Sequence, residues 1–310
     1  MTIRKWTIGV AVALAAVAAL AVAAVGSASS SKSTDDFKVA LVTDIGGLND
    51  KGFNSLAYQG LKQAQTKLGV KGRVFISKSA ADYIPNLSTA ATQGNQLVIA
   101  VGFLMADSVA AVAKKFPKTN FAIVDYPWVA LKGKPKNVRG ILFAENEAGC
   151  LAGVAAANVT KTGTISSVGG IKIPPVDAFI AGYQFCAKKV SPTIELLNDY
   201  SQDFVAQDKC KELALKQNDA GSDVIFQVAG GCGLGALAAA KDRKVWGIGV
   251  DNDQGFLGSY VLTSATKKVD AVIGQDTREL LGDSVELEDG RFRHRWRFSH
   301  AEGGPCGPAF

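Results

Sequence analysis

KVALVTDIGGLNDKGFNSLAYQG, residues 38–60, reads as a buried strand that runs into a polar, glycine-containing turn and then a helix. The apolar run after Lys38 lacks the in–out alternation of a strand with one wet face. Such a strand belongs in a parallel sheet with both faces covered. The turn holds Asp44, Gly46, Gly47, Asn49 and Asp50, and a helical pattern spans 53–68. Ligands of open parallel sheets bind beyond the carboxyl ends of the strands, which is where this turn falls. Its two glycines let backbone turn tightly and approach a ligand. Phe53 offers a flat face for stacking and Asn54 a donor and an acceptor side by side. The plainer alternatives are Asp50 or Asn49 as helix cap and Phe53 as core; a cap is expected of Asp50, a ligand contact of Phe53 and Asn54.

Outward from this stretch the same grammar repeats. Apolar runs at 38–43, 74–77, 97–101 and 121–124 read as strands, with helices at 53–68 and 105–116. A second series follows, with strands at 164–168, 194–197, 223–228 and 245–250. Its helices are expected at 149–159, 177–189, 206–218 and 234–241. Two sets of βα units predict an α/β protein of two doubly wound parallel-sheet lobes with a cleft between them. The strand-end windows that would line it are 43–54, 101–106, 124–127, 169–177, 229–233 and 250–253. Asp125 and Asp251 each end a strand and are carboxylate candidates for hydroxyls or a base N–H; a turn role is the alternative for Asp125.

Several classes are excluded. There is no Walker A motif, and GGCGLG (230–235) lacks the spacing of a dinucleotide fingerprint. Five cysteines without CxxC spacing and two histidines argue against zinc, and no cofactor is expected. The net charge of +6 comes from scattered Lys and Arg, so no nucleic-acid partner is expected. The basic cluster Lys132, Lys134, Lys136 and Arg139 reads as a solvated loop. Arg4 and Lys5, an Ala/Val/Leu run at 8–25 and GSASSSKS form a secretory signal, with cleavage expected after Ala28. An uncleaved anchor is the alternative reading of that run. Outside the cytoplasm, one or two disulfides among Cys150, Cys186, Cys210 and Cys232 are compatible with the sequence, their pairing open.

The blocks DIGGLNDKGFN (44–54), FAIVD (121–125), ENEAGCLAG (145–153), DVIFQVAGGCGLGALAAAK (223–241), GIGVDNDQ (247–254) and VLTSATKKVD (261–270) occur in one order along 37–270. Together they resemble the basic membrane protein family of ABC-transporter solute-binding proteins, whose members include purine nucleoside receptors. The resemblance implies a type I periplasmic-binding fold without enzymatic activity, a nucleoside ligand, a permease with its ATPase as partners, and a monomer. By motif it implies that Phe53 stacks on the base, Asn54 bonds its edge, and Asp44 and Asp125 contact base or ribose. Gly230 and Gly231 give backbone approach, Asp251 binds ribose hydroxyls, and Lys267 lies beside them at the hinge. A second stacking aromatic is expected from the other lobe, Phe226 first, with Phe204 and Phe179 as rivals.

These readings divide the chain into a signal (1–28), a linker (29–36), a first lobe (37–143 with 265–290), a second lobe (144–264) and an atypical tail (291–310). The chain departs from the family twice. No lipobox cysteine follows the apolar run, so the protein is expected free in the periplasm or at the outer face of the membrane rather than lipid-anchored. After Asp270 the family's closing helix and final strand are not recognisable, and GRFRHRWRFSHAEGGPCGPAF (290–310) reads as a frameshifted end. A basic, aromatic contact surface is the other reading of that tail. The alternatives for the whole chain are a sugar-binding protein of the same fold, a nucleoside hydrolase, and a surface antigen or signalling input without a permease.

Overall fold

Val39, Ala40, Leu41 and Val42 are fully buried, which requires cover on both faces of the strand they form. That strand, β1 (Lys38–Val42), opens a series of α1 (Phe53–Leu68), β2 (Lys71–Phe75), α2 (Tyr83–Thr92), β3 (Leu97–Ala100), α3 (Ala106–Lys115), β4 (Asn120–Val124) and β5 (Val138–Leu142). The alternation restarts with α4 (Glu145–Val159), β6 (Thr164–Gly169), α5 (Pro174–Val190), β7 (Glu195–Tyr200), α6 (Gln207–Asp219) and β8 (Val224–Val228). It closes with α7 (Gly233–Arg243), β9 (Trp246–Asp251), β10 (Val261–Thr266), α8 (Val269–Leu281) and β11 (Arg291–Arg293). The computed structural model describes residues 37–281 and 291–293. The expected signal, the linker, Cys306 and the rest of the tail lie outside the described residues.

Two wholly parallel sheets result. The first has the order β11-β5-β4-β3-β1-β2, the second β10-β9-β8-β6-β7. Strand order reverses at β1/β3 in one and at β6/β8 in the other, so each lobe presents a ligand crevice at the same topological position. One core covers the first sheet, and α8 contributes Val269, Val272 and Ile273 to it. Two clusters fill the two faces of the second sheet. In that lobe α4 and α5 pack with backbones nearly touching. A Cβ at Gly149 or Gly153 would overlap the carbonyl oxygen of Phe179 or Tyr183, and the Cys150–Cys186 disulfide joins the same two helices. The α/β class and doubly wound sheets expected from the sequence are present.

Some boundaries differ. β2 starts at Lys71, earlier than its apolar run, because an edge strand of half-exposed residues needs no continuous hydrophobic stretch. β5 and β10 are interrupted by Arg139, Gly140 and polar Thr/Ser residues, so neither reads as a strand. β10 lies wholly in the second sheet, so the return to the first lobe comes after Thr266 rather than at residue 265. The unrecognised closing helix exists as α8. Its stripe is masked by Asp276, which accepts from Arg139 at 3.2 Å, and by Thr277, whose hydroxyl donates to the Ile273 carbonyl. Residues 291–293, assigned to the tail, add a parallel sixth strand beside Gly140–Leu142. Among the described residues no helix is long and apolar enough to cross a membrane.

Candidate ligand-binding cleft

The turn after β1 is held by its own side chains. Asp50 accepts from the backbone amides of Gly52, Asn54 and Ser55 at 3.1, 2.6 and 3.0 Å, which caps α1. Asn54 accepts from the Asp44 amide at 3.0 Å and donates to the Ile45 carbonyl at 3.3 Å, leaving one of its amide hydrogens for a ligand. Asp44 in turn accepts on Oδ1 from the Ile45 amide at 2.7 Å and from the Tyr83 hydroxyl. This cross-bracing fixes Phe53 at the start of α1 with one side packed on the first core.

Asp125 and Asp251 occupy equivalent places at the ends of β4 and β9, both left-handed at φ 69° and 64°. That conformation, costly for most residues, re-aims each carboxylate out of the sheet and into the cleft. Lys267 follows β10, where the chain returns to the first lobe. Its ammonium is 2.6 Å from Asp125 Oδ1, 2.7 Å from Asp125 Oδ2 and 2.9 Å from Glu145 Oε1 at the start of α4. One cation thus ties both chain crossings to the first sheet, with the rings of Phe143, Phe53 and Phe179 at 4.8, 5.3 and 5.7 Å.

The electrostatics follow from burial. Burial alone would depress the Lys267 ammonium, but Asp125, Glu145 and Asp251 outweigh it and hold its pKa above the usual lysine range. Burial pushes Asp125 up to about 6 against the pull of Lys267. Asp251 is raised to about 7 by burial, only partly offset by Lys267, and no hydrogen-bond donor of the described residues reaches it. Asp44 is raised to about 6, again by burial, with Tyr83 and the Ile45 amide opposing. The cleft therefore presents acidic acceptors that a ligand's donors would satisfy.

Between these carboxylates the walls are apolar. From the first lobe come Phe53 and Phe103; from the second come Ile173, Pro175, Val176, Phe179, Phe204, Val228 and Val250. The space enclosed between them is narrow, about 70 Å³. The structure brings Asp44, Phe53, Asn54, Asp125, Gly230, Gly231, Asp251 and Lys267 together around it. It does not bring Phe226, which is 0% exposed in the middle of β8 and packs against Tyr183 and Phe179 at 5.0 and 6.4 Å. A residue in the middle of a strand covered on both faces points into a helix layer; the cleft is reached from the last residues of a strand, such as Val228 and Val250, and from those beyond it. The rivals Phe179 and Phe204 both line it. Phe103, missed by name, sits in a strand-end window and stacks near Tyr126 at 4.9 Å.

Cross-cleft contacts are close. Gln254 Nε2 donates to the Lys51 carbonyl at 3.4 Å, and a Cβ at Gly52 would stand 3.4 Å from Asp251 Oδ2. Phe204 is held from behind, because the Cys232 amide donates to its carbonyl at 3.0 Å and Cys232 is bonded to Cys210. Paired Cys210→Ser and Cys232→Ser substitution should lower stability by about 3 kcal/mol, from loop-closure entropy over a 22-residue separation. A shift of the denaturant midpoint measures it, and faster hydrogen exchange at the Cys232 amide reports the loosened loop. Among the described residues no group of His, Cys, Asp and Glu could hold a metal ion.

Comparison with known proteins adds three results. Residues 37–295 match the Bmp family model, described as ABC transporter substrate-binding protein PnrA-like, well past Asp270. The ABC transporter nucleoside-binding protein BmpA of Lactococcus lactis is 40% identical over 286 aligned positions, covering 85% of this chain and 80% of that protein. The CD4+ T-cell-stimulating antigen of Listeria monocytogenes is 38% identical over 275 positions, 81% of this chain and 76% of that protein. Among solved structures, an ABC transporter solute-binding protein from Aeropyrum pernix superposes with a TM-score of 0.73 at 28% identity, over 79% of this chain and 71% of the other.

Proposed function

We propose that this chain, which belongs to the Bmp family of PnrA-like ABC transporter substrate-binding proteins, captures a purine nucleoside between its lobes and delivers it to an ABC permease. Its relatives are substrate-binding proteins rather than enzymes, and the chain binds without altering what it binds. It works as an exported monomer. The observation that carries the reading is the pairing of aromatic faces from both lobes with acceptors left open among them, the Asp251 carboxylate and Oδ2 of Asp44. A nucleoside has that shape: a flat apolar body with donor groups on the base edge and on the ribose.

In this reading Phe53 stacks on one face of the base, and Phe179 or Phe204 closes on the other. Asn54 and Asp44 take the base edge, and Asp251 takes the ribose hydroxyls. Gly230, left-handed at φ 54°, and Gly231 bring backbone close to the ligand. Lys267 donates to Asp125 Oδ2 at 2.7 Å and pairs with Glu145 at 2.9 Å, so it orients Asp125 rather than meeting the ligand itself. Ligand contacts to both lobes favour the closed form, which the permease distinguishes from the open one.

Thermal melts with guanosine, inosine, adenosine and ribose test this. A purine nucleoside at a hundred times its Kd should stabilise the protein by about 2.7 kcal/mol, seen as a raised Tm. Stabilisation by ribose alone, with none from a nucleoside, sinks the reading and favours a sugar.

A further inference from the structure

The two oxygens of Asp44 differ in a way the site residues alone do not explain. Oδ1 accepts twice, from the Ile45 amide at 2.7 Å and from the hydroxyl of Tyr83 at the start of α2. Oδ2 meets no donor of the described residues and lies against Gly102, where a Cβ would overlap it. Gly102, at φ 129°, is one of the few places where a side chain would displace that oxygen from the cleft. Tyr83 is 2% exposed, sunk in the first core behind the wall, and meets no part of the cleft itself. Burial and the adjacent Asp44 hold its phenol above the ordinary range, so it donates throughout neutral pH.

We propose that Tyr83 is a positioning residue: by occupying Oδ1 it turns Oδ2 into the acceptor the cleft presents to an N–H of the bound base. This rests on the nucleoside reading and adds to it a demand on the ligand, a ring N–H or amino group facing Asp44. The groups around Asp44 are Tyr83 at the start of α2 and Asp82 just before it, Asp50 in its own turn, Asp125 after β4, Asp251 at the end of β9, and Lys267 at the crossing. Of these, only Tyr83 donates to the carboxylate. Losing that donor raises the Asp44 pKa further, since the Tyr83 hydrogen bond lowers it. With Oδ1 held by the Ile45 amide, a proton on Asp44 sits on Oδ2, which then donates where the ligand N–H needs an acceptor, so the loss of function is greatest at acid pH.

Calorimetric titration of the full chain with inosine between pH 5 and 8 tests this. Tyr83→Phe should weaken binding about tenfold at pH 6 and by less than about threefold at pH 8. Tyr83→Met, equally unable to donate but more adaptable in shape, should show the same pattern, which guards against a folding defect in either variant. In the Asp44→Asn background the Tyr83→Phe change should have no pH-dependent effect. A uniform loss across pH, or a profile superimposed on that of the unmodified chain, overturns the role of Tyr83. Absence of inosine binding by the unmodified chain at every pH overturns the nucleoside reading instead, so the two failures are distinct.

Discussion

Replacing Lys267 with methionine should cost about 3–5 kcal/mol of stability at pH 8 and abolish measurable nucleoside binding. The side chain is 3% exposed and its ammonium is the shared partner of Asp125 and Glu145. Methionine fills much of the volume, so the loss is electrostatic: two buried carboxylates face each other, with Asp251 nearby, and no cation between them. The pH dependence separates charge from packing. Burial already raises Asp125 to about 6 and Asp251 to about 7, and loss of the opposing Lys267 charge raises both further. Groups raised in this way contribute stability below the unfolded pKa and lose it as pH climbs through the folded one. The deficit in denaturant unfolding should therefore shrink from pH 8 to pH 5. A deficit independent of pH would mean that Lys267 matters for shape alone.

Asp251→Asn should move stability and affinity in opposite directions. Burial raises the Asp251 carboxyl to about 7, so above that pH the ligand-free closed cleft holds a charge with no donor. Its stabilising share is present below the unfolded carboxylate range and is lost as pH rises through about 7. Removing the charge should stabilise the ligand-free protein at pH 8 by roughly 1–2 kcal/mol, with little effect at pH 5. Ligand hydroxyls bound to the carboxylate would lose charge-assisted hydrogen bonds of roughly 1.5–3 kcal/mol, a fall in affinity of about tenfold to a hundredfold. Melts without ligand and calorimetry with inosine read the two effects separately. A substitution that lowers both would make Asp251 a structural residue.

Much of this cleft was legible from the rule that parallel-sheet ligands sit past strand ends. The windows at 43–54, 101–106, 124–127, 169–177, 229–233 and 250–253 hold most of its lining, with Phe179, Phe204, Val228 and Lys267 outside them. Identity within a window was harder. Phe226 fits by residue type alone, but the middle of a strand covered on both faces sends its aromatics into helix layers, whereas Phe179 lies in the second turn of α5 and Phe204 in a loop. Tyr83 was not anticipated because YIPNLSTAAT, with Pro, Asn, Ser and Thr, gives a weak helical pattern. The pairing Cys150–Cys186 and Cys210–Cys232 depends on which helices pack together, a long-range outcome invisible to spacing. The closing helix α8 was hidden because Asp276 and Thr277 occupy buried positions that a hydrophobic-stripe reading rejects.

Capture of a nucleoside across both lobes is tested most directly by titrating the protein with inosine, hypoxanthine and ribose in one calorimetric series. Base contacts and ribose contacts come from the same cleft, so joining the two halves spares the second cost of association. Inosine should bind at least about a hundredfold tighter than either half alone. Equal affinity for ribose and inosine, or heat from ribose and none from inosine, contradicts nucleoside capture.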